Sequence, residues 1–148
     1  MLEMVAWAEV DELIERYHQA LGEFMKGDPD PVKKLWSHRE DASLTNPQGS
    51  VAHGWDEIAE AMDRAASTRQ DGKFSGFEIV TKRVSDELAY VVDVEHLEAK
   101  VHGARQITPY ALRVTMIFGP EEGVWKVVHR HADQITTPPQ PEESAVQS

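Results

Sequence analysis

Apolar residues recur at helical spacing through the first part of the chain and at alternate positions through the second, with the change near residue 70. Val10, Leu13, Ile14, Tyr17, Ala20, Leu21 and Phe24 follow the i, i+3, i+4, i+7 rule, which predicts an amphipathic helix over about 7–26. Gly27-Asp28-Pro29-Asp30-Pro31 stops it. Asp30 can cap a second helix that begins at Pro31 and occupies about 30–37. Ala42 to Asn46 reads as a short strand, and Asn46-Pro47-Gln48-Gly49 as a turn. A third helix is predicted over about 55–68. Its stripe of Ile58, Ala61, Met62, Ala65 and Ala66 is small enough to pack closely on a sheet.

Beyond that point the period is 2, and four strands are predicted at about 74–84, 87–99, 106–118 and 124–135. Leu88, Tyr90, Val92 and Val94 form one row of the second strand; Ala89, Val91, Asp93 and Glu95 form the other. The third strand opposes Leu112, Val114, Met116 and Phe118 to Ala111, Arg113, Thr115 and Ile117. In the last, Trp125, Val127, His129, His131 and Asp133 alternate with Lys126, Val128, Arg130 and Ala132. Gly119 to Gly123 reads as a hairpin loop between these two strands, and Val101 to Gln106 as a polar loop. Residues 137–148 contain three prolines and no periodicity, which predicts a disordered or extended tail behind a single domain at 1–136.

Three N-terminal helices followed by a run of strands indicate an α+β fold, with the helices on one face of a curved, mostly antiparallel sheet. A sheet curled around helices makes a cone with a pocket. Helices cover only one sheet face. The second rows, with Ala89, Val91, Ala111, Ile117, Trp125 and Val127 among them, would then lie on the outer face and imply a homodimer through it.

Charge narrows the partners. Among 148 residues, 15 basic against 26 acidic side chains give a net charge of -11, which argues against nucleic acid or an anionic membrane. The absence of cysteine excludes disulfide and thiolate chemistry. The first residues lack a basic n-region, and no apolar run approaches the ~18 residues of a membrane span, so a cytoplasmic location is expected.

His129, His131 and Asp133 share a row and have the outward look of a metal site. The simpler reading has them hydrogen-bonded across the sheet or an interface, and neither metal nor cofactor is expected. Asp93, Glu95 and Asp133 are carboxylates available to Arg113 or Arg130. An arginine in an apolar cone is costly unless it is paired with such a carboxylate or with an anionic ligand. Tyr17 is either a tethered core aromatic or a donor into the cavity. No Ser-His-Asp arrangement, Gly-x-Ser-x-Gly elbow or phosphate-cradling loop is present.

Several segments carry a resemblance over roughly residues 8–135. They are Leu13-Ile14-Glu15-Arg16-Tyr17, Asp41 to Gly49, His53-Gly54, Arg113-Val114-Thr115 and Gly123 to His131. With them the chain resembles the SnoaL-like and DUF4440-type members of the nuclear transport factor 2-like superfamily. That superfamily includes ketosteroid isomerases and the calcium/calmodulin-dependent kinase association domain. The resemblance implies the cone fold but not one activity, since the fold hosts isomerases, cyclases, dehydratases and non-catalytic binders. It places Tyr17 where the isomerases keep an oxyanion donor, Asn46 where they keep the proton-shuttling aspartate, and Val114 near their second donor. An amide takes up no proton at neutral pH and valine donates no hydrogen bond, so a steroid isomerase is not expected.

A small-molecule-binding protein is therefore expected, with an isomerase, cyclase or hydratase, or a non-catalytic assembly module, as alternatives. The catalytic candidates are Tyr17, Asn46 and His131. The ligand walls are expected from Tyr17, Trp36, Asn46 and the inward rows of the last two strands. Parity allows Val114 with Met116 or Arg113 with Thr115, and Val128 with Arg130 or His129 with His131. The apolar row favours Val114 and Met116. The resemblance favours Arg130 and Ala132, leaving Arg113 as the alternative.

Overall fold

Helix α1 spans Leu2–Phe24 in the computed structural model, which describes residues 2–47, 49, 51–69, 71–100 and 106–136. It starts earlier than the expected position 7 because Ala6, one turn before Val10, continues the buried stripe. α2 covers only Asp30–Lys33. Asp30 is its first residue and not its cap: Pro29 is at the N-cap position, and Asp28 Oδ1 accepts from the Asp30 N–H at 3.1 Å in the turn before it. The helix ends short of residue 37 because the backbone beyond it pairs with a strand. Ser37 N–H donates to Val127 O, and Val127 N–H to Leu35 O, each at 2.9 Å.

β1 (Ser43–Thr45), β2 (Ala52–His53), β3 (Lys73–Val84), β4 (Ala89–Lys100), β5 (Ile107–Glu121) and β6 (Val124–Gln134) form one open sheet in the order β2-β1-β6-β5-β4-β3. The meander β3 to β6 is antiparallel throughout, and β1 joins β6 in parallel. β2, unforeseen from the sequence, places His53 on a strand, not in a loop. Between β2 and α3 (Trp55–Ser67), Gly54 adopts φ 85°, a left-handed conformation that side chains resist. The expected five-residue hairpin loop is a two-residue turn. Glu122 and Gly123 have φ of 53° and 83°, the positive pair of a type I′ hairpin.

Bulges decide which side chains face the helices. In β6, Val128 is the extra residue, because Ile117 pairs with His129 and Phe118 with Val127. Strict alternation is broken there, so Trp125, Val127, Arg130 and Ala132 are all buried. The expectation that Trp125 and Val127 lie on the outer face is thus corrected. Ala89 and Val91 also point inward with Asp93 and Glu95, and the outer row of β4 is Tyr90, Val92 and Val94. In β3, a bulge at Ser75 brings Phe74 opposite Leu97 and Phe77 opposite Glu95, both toward the core. The core lies between α1 and these inner rows, with Val10, Ile14, Tyr17, Val91, Met116 and Phe118 almost fully buried.

No helix among the described residues is long and apolar enough to cross a membrane. The expected polar loop (apart from Gln106) and C-terminal tail lie outside the described residues.

Candidate functional site

The inner rows of β4, β5 and β6 and the facing sides of α1 and α3 leave a cavity of about 880 Å³, open at one end. Leu21 and Phe24 of α1, Ala61 and Ala65 of α3, and Leu97 and Leu112 of the sheet give it apolar walls. Tyr17, Asn46 and Arg130 line it, joined by Arg69, Tyr110 and Gln134. A mostly apolar cavity with a few converging polar groups is the usual form of a small-molecule site.

Behind the lining lies a buried network of charge. The Arg130 guanidinium grips Glu95 with two parallel bonds, Nη2 to Oε1 at 2.6 Å and Nη1 to Oε2 at 2.8 Å. Arg130 is 5% exposed and Glu95 0%. Burial alone would raise the Glu95 pKa, but the Arg130 charge and hydrogen bonds overcome it, with help from His18, and bring it down to about 2. For Arg130, burial disfavours the charge and Glu95 more than offsets it, so its pKa is held above the ordinary value.

His18 completes the network from α1. Its Nε2 lies 3.1 Å from Glu95 Oε2 and 3.4 Å from Asp93 Oδ2. Its ring is stacked on Phe77, 3.8 Å between centroids and 15° between planes, and on Phe74 at 5.2 Å. Burial pushes its pKa down, yet the two carboxylates outweigh burial and the net shift is upward. Among the described residues neither Asp93 oxygen has a hydrogen-bond partner, and His18 Nε2 is the basic group that approaches it. His18, Asp93 and Glu95 are the group among the described residues whose ligand atoms cluster closely enough for a metal. Both Glu95 oxygens already accept from Arg130, and a further cation beside that guanidinium would be repelled. The donor set does not fit a metal ion.

Tyr17 links network and cavity. Its hydroxyl accepts from Trp36 Nε1 at 3.2 Å, and the Arg130 guanidinium sits 5.3 Å from its ring centroid. Burial raises the phenol pKa, so the hydroxyl keeps its proton.

The residues expected at the site separate into three groups. Tyr17, Asn46 and Arg130 line the cavity. Trp36, Val114 and Met116 point inward but belong to the packed core and do not line it. Arg113 and His131 are on the outer face, a correction for both. Arg113 is exposed opposite Asp133, and His131 Nε2 meets Asp133 Oδ2 at 2.8 Å. His129 Nδ1 pairs with Ser43 Oγ at 2.8 Å, so the two histidines of β6 serve the outer sheet surface.

Sequence reasoning missed His18, Arg69 and Tyr110. His18 is four residues after Ile14 and three before Leu21, a position on the buried stripe that could have flagged it. Arg69 stands beyond the last turn of α3, where no periodic pattern marks it.

Residues 10–136 match the SnoaL-like domain. No curated protein matches the chain. Among solved structures, a ketosteroid isomerase-like protein from Erwinia carotovora atroseptica SCRI1043 superposes with a TM-score of 0.72 at 21% identity, covering 88% of this chain and 96% of that one. A nuclear transport factor 2 (NTF2-like) superfamily protein from Salmonella enterica gives a TM-score of 0.72 at 20% identity, over 90% and 94%. An uncharacterized protein with a cystatin-like fold from Caulobacter vibrioides gives 0.69 at 22%, over 97% and 99%. At such identities the likeness is one of fold.

Proposed function

The chain belongs to the SnoaL-like domain family, and from that premise we propose that it binds, inside the cone, a small molecule with an apolar body and a hydrogen-bond acceptor at its deep end. One observation carries the reading. Tyr17 lines the cavity, its hydroxyl accepts from Trp36, and among the described residues no acceptor takes its own proton. A buried donor without a partner is costly, and a ligand carbonyl or hydroxyl would satisfy it. Asn46 and the Arg130 edge add donors nearby.

Binding is favoured over proton-transfer chemistry of the isomerase, cyclase or hydratase kind. A general base must reach the proton it removes. Asn46 is an amide. Glu95 is locked by Arg130, and His18 is stacked beneath Phe77 and does not line the cavity. Glu57 and Glu60 do line it, but Glu57 accepts from the His53 N–H and Glu60 from Arg64. The test uses matched aromatic probes, 2-acetylnaphthalene and 2-ethylnaphthalene, titrated by intrinsic tryptophan fluorescence. Tyr17→Phe should weaken the ketone about 2- to 10-fold, the worth of one hydrogen bond, and leave the hydrocarbon unchanged. Ala61→Trp, which fills the cavity, should weaken both. Unchanged binding of both probes in Ala61→Trp would put the site elsewhere.

A further inference from the structure

Among the described residues four basic side chains line the cavity, and three are already paired. Arg64 holds Glu60 at 2.8 Å, Lys100 holds Asp71 at 3.4 Å, and Arg130 holds Glu95 at 2.6 Å. Arg69 differs. Among the described residues no carboxylate lies within 4.0 Å of its guanidinium, and its Nε is buried with no hydrogen-bond partner. A desolvated cationic donor left unmet is destabilising, and a folded protein tolerates it where a ligand can supply the acceptor.

Tyr110 faces the same opening. It stands on the inner row of β5, opposite Leu97 and two residues before Leu112, and all three line the cavity. Burial raises the phenol pKa and the Arg69 charge offsets part of that rise. Among the described residues the Tyr110 hydroxyl makes no hydrogen bond, which leaves a second unpaired donor in the lining that Arg69 shares.

We propose that Arg69 and Tyr110 form an anion subsite at the mouth of the cone, and that the ligand is an apolar acid whose carboxylate they bind. The planar guanidinium fork matches a carboxylate with two parallel bonds, and the phenol adds a third from the side. Arg69 follows α3 and Tyr17 lies on the buried face of α1, so the ligand presents its acid at the rim and its neutral acceptor within. The net charge of -11 gives such an anion no long-range attraction, so selectivity must arise from local contacts. This inference rests on the cavity being a small-molecule site, and it adds the class of molecule.

The experiment compares 2-naphthoate with 2-naphthamide, equal in ring and carbonyl but unlike in charge, on the full chain. Wild type should prefer the acid about tenfold or more, as for a charge-assisted bond. Arg69→Met should abolish that preference by weakening the acid alone, and Arg69→Lys should restore part of it. Unchanged amide binding verifies that the variants are folded. If the amide binds as tightly as the acid in wild type, or Arg69→Met keeps the preference, the subsite is overturned and the cavity reading survives. If neither probe binds wild type, the cavity reading falls and takes the subsite with it.

Discussion

Glu95 and Arg130 face each other across β5, from β4 to β6, and meet in a bidentate ion pair sealed from solvent. On the intervening strand Arg130 is opposite Met116, whose Sδ is 3.6 Å from Arg130 Nη1, and Glu95 is opposite Leu112. The pair thus ties three strands together on the face that α1 covers. An arginine in an apolar cone is either held by the protein or waiting for an anion, and here Glu95 holds it. The guanidinium orders the sheet and steadies Tyr17, and its outer edge alone remains for a ligand.

Breaking one side of the pair should therefore damage the fold more than removing both. Arg130→Met strands Glu95, and Glu95→Gln strands Arg130, each at a cost of about 3–5 kcal/mol. The double variant Glu95→Leu/Arg130→Met removes both charges and should recover most of that loss, although it leaves His18 with Asp93 alone. Urea unfolding of the four proteins measures the coupling. Additive losses would mean that the two side chains do not act as a pair.

The same network sets a pH window. His18 has its pKa raised above the ordinary 6.5, so its stabilisation is fully present below that value and is lost as pH rises through the folded pKa. Glu95 is lowered from 4.5 to about 2, so its contribution is present above 4.5 and disappears as pH falls toward 2. The network should stabilise most between about 4.5 and 6.5. Melting temperatures across pH 4 to 9 should fall on the alkaline side, and His18→Gln should flatten that limb. An alkaline limb of the same slope in the variant would assign the titration to another group.

Much of this architecture is written in local pattern, and the bulges are where the pattern stops. The helical stripe from Val10 to Phe24 and the alternation through Leu112 to Phe118 are periodic because each buries one face, and both appear as expected. A bulge adds one residue without a compositional mark. Parity counted through Val128 therefore set Trp125 and Val127 against Arg130 and Ala132, although all four are buried. The rows of Ala89 and Val91 were misassigned for another reason. Asp93 and Glu95 made the row look polar, and only Arg130 and His18, distant in sequence, make it an inner face. Tyr17, Asn46 and Arg130 were legible through a family resemblance. Arg69 and Tyr110 were not, since their meaning depends on which cations already have partners.

Ketosteroid isomerisation should be absent. Asn46 lines the cavity without a titratable group, and Val114 is buried between Asp93 and Ala132 in the strand pairing, where it donates nothing. Loss of a general base removes about 10²–10⁴-fold, and loss of an oxyanion donor a further ~10²–10³. Incubation of the purified protein with a 5-ene-3-ketosteroid should give no conjugated enone above background. Robust turnover would mean that another group, with Glu57 or Glu60 at the rim as first suspects, reaches the substrate.

The outer sheet face yields the last prediction, a homodimer. Of the apolar members that simple alternation indicated, Ile117 is there, while Ala89, Val91, Trp125 and Val127 are buried on the inner face. Tyr90, Val92 and Val94 of β4 and Ile117 of β5 stand there, with Thr115 between strands and His129 and His131 beyond it on β6. Among the described residues no helix covers this strip, since α1 and α3 pack on the opposite face. A strip of β-branched side chains across adjacent strands is flat enough to meet a second copy of itself about a twofold axis, and monomers seldom leave such a surface bare. Val92 is opposite Thr115 at its centre, so Val92→Arg would bring two like charges together across the axis while leaving the inner face untouched. Sedimentation at micromolar concentration should give twice 16.7 kDa for wild type and 16.7 kDa for Val92→Arg, with the thermal transition of the variant still cooperative. A wild-type species at 16.7 kDa would leave the strip solvated and the dimer refuted.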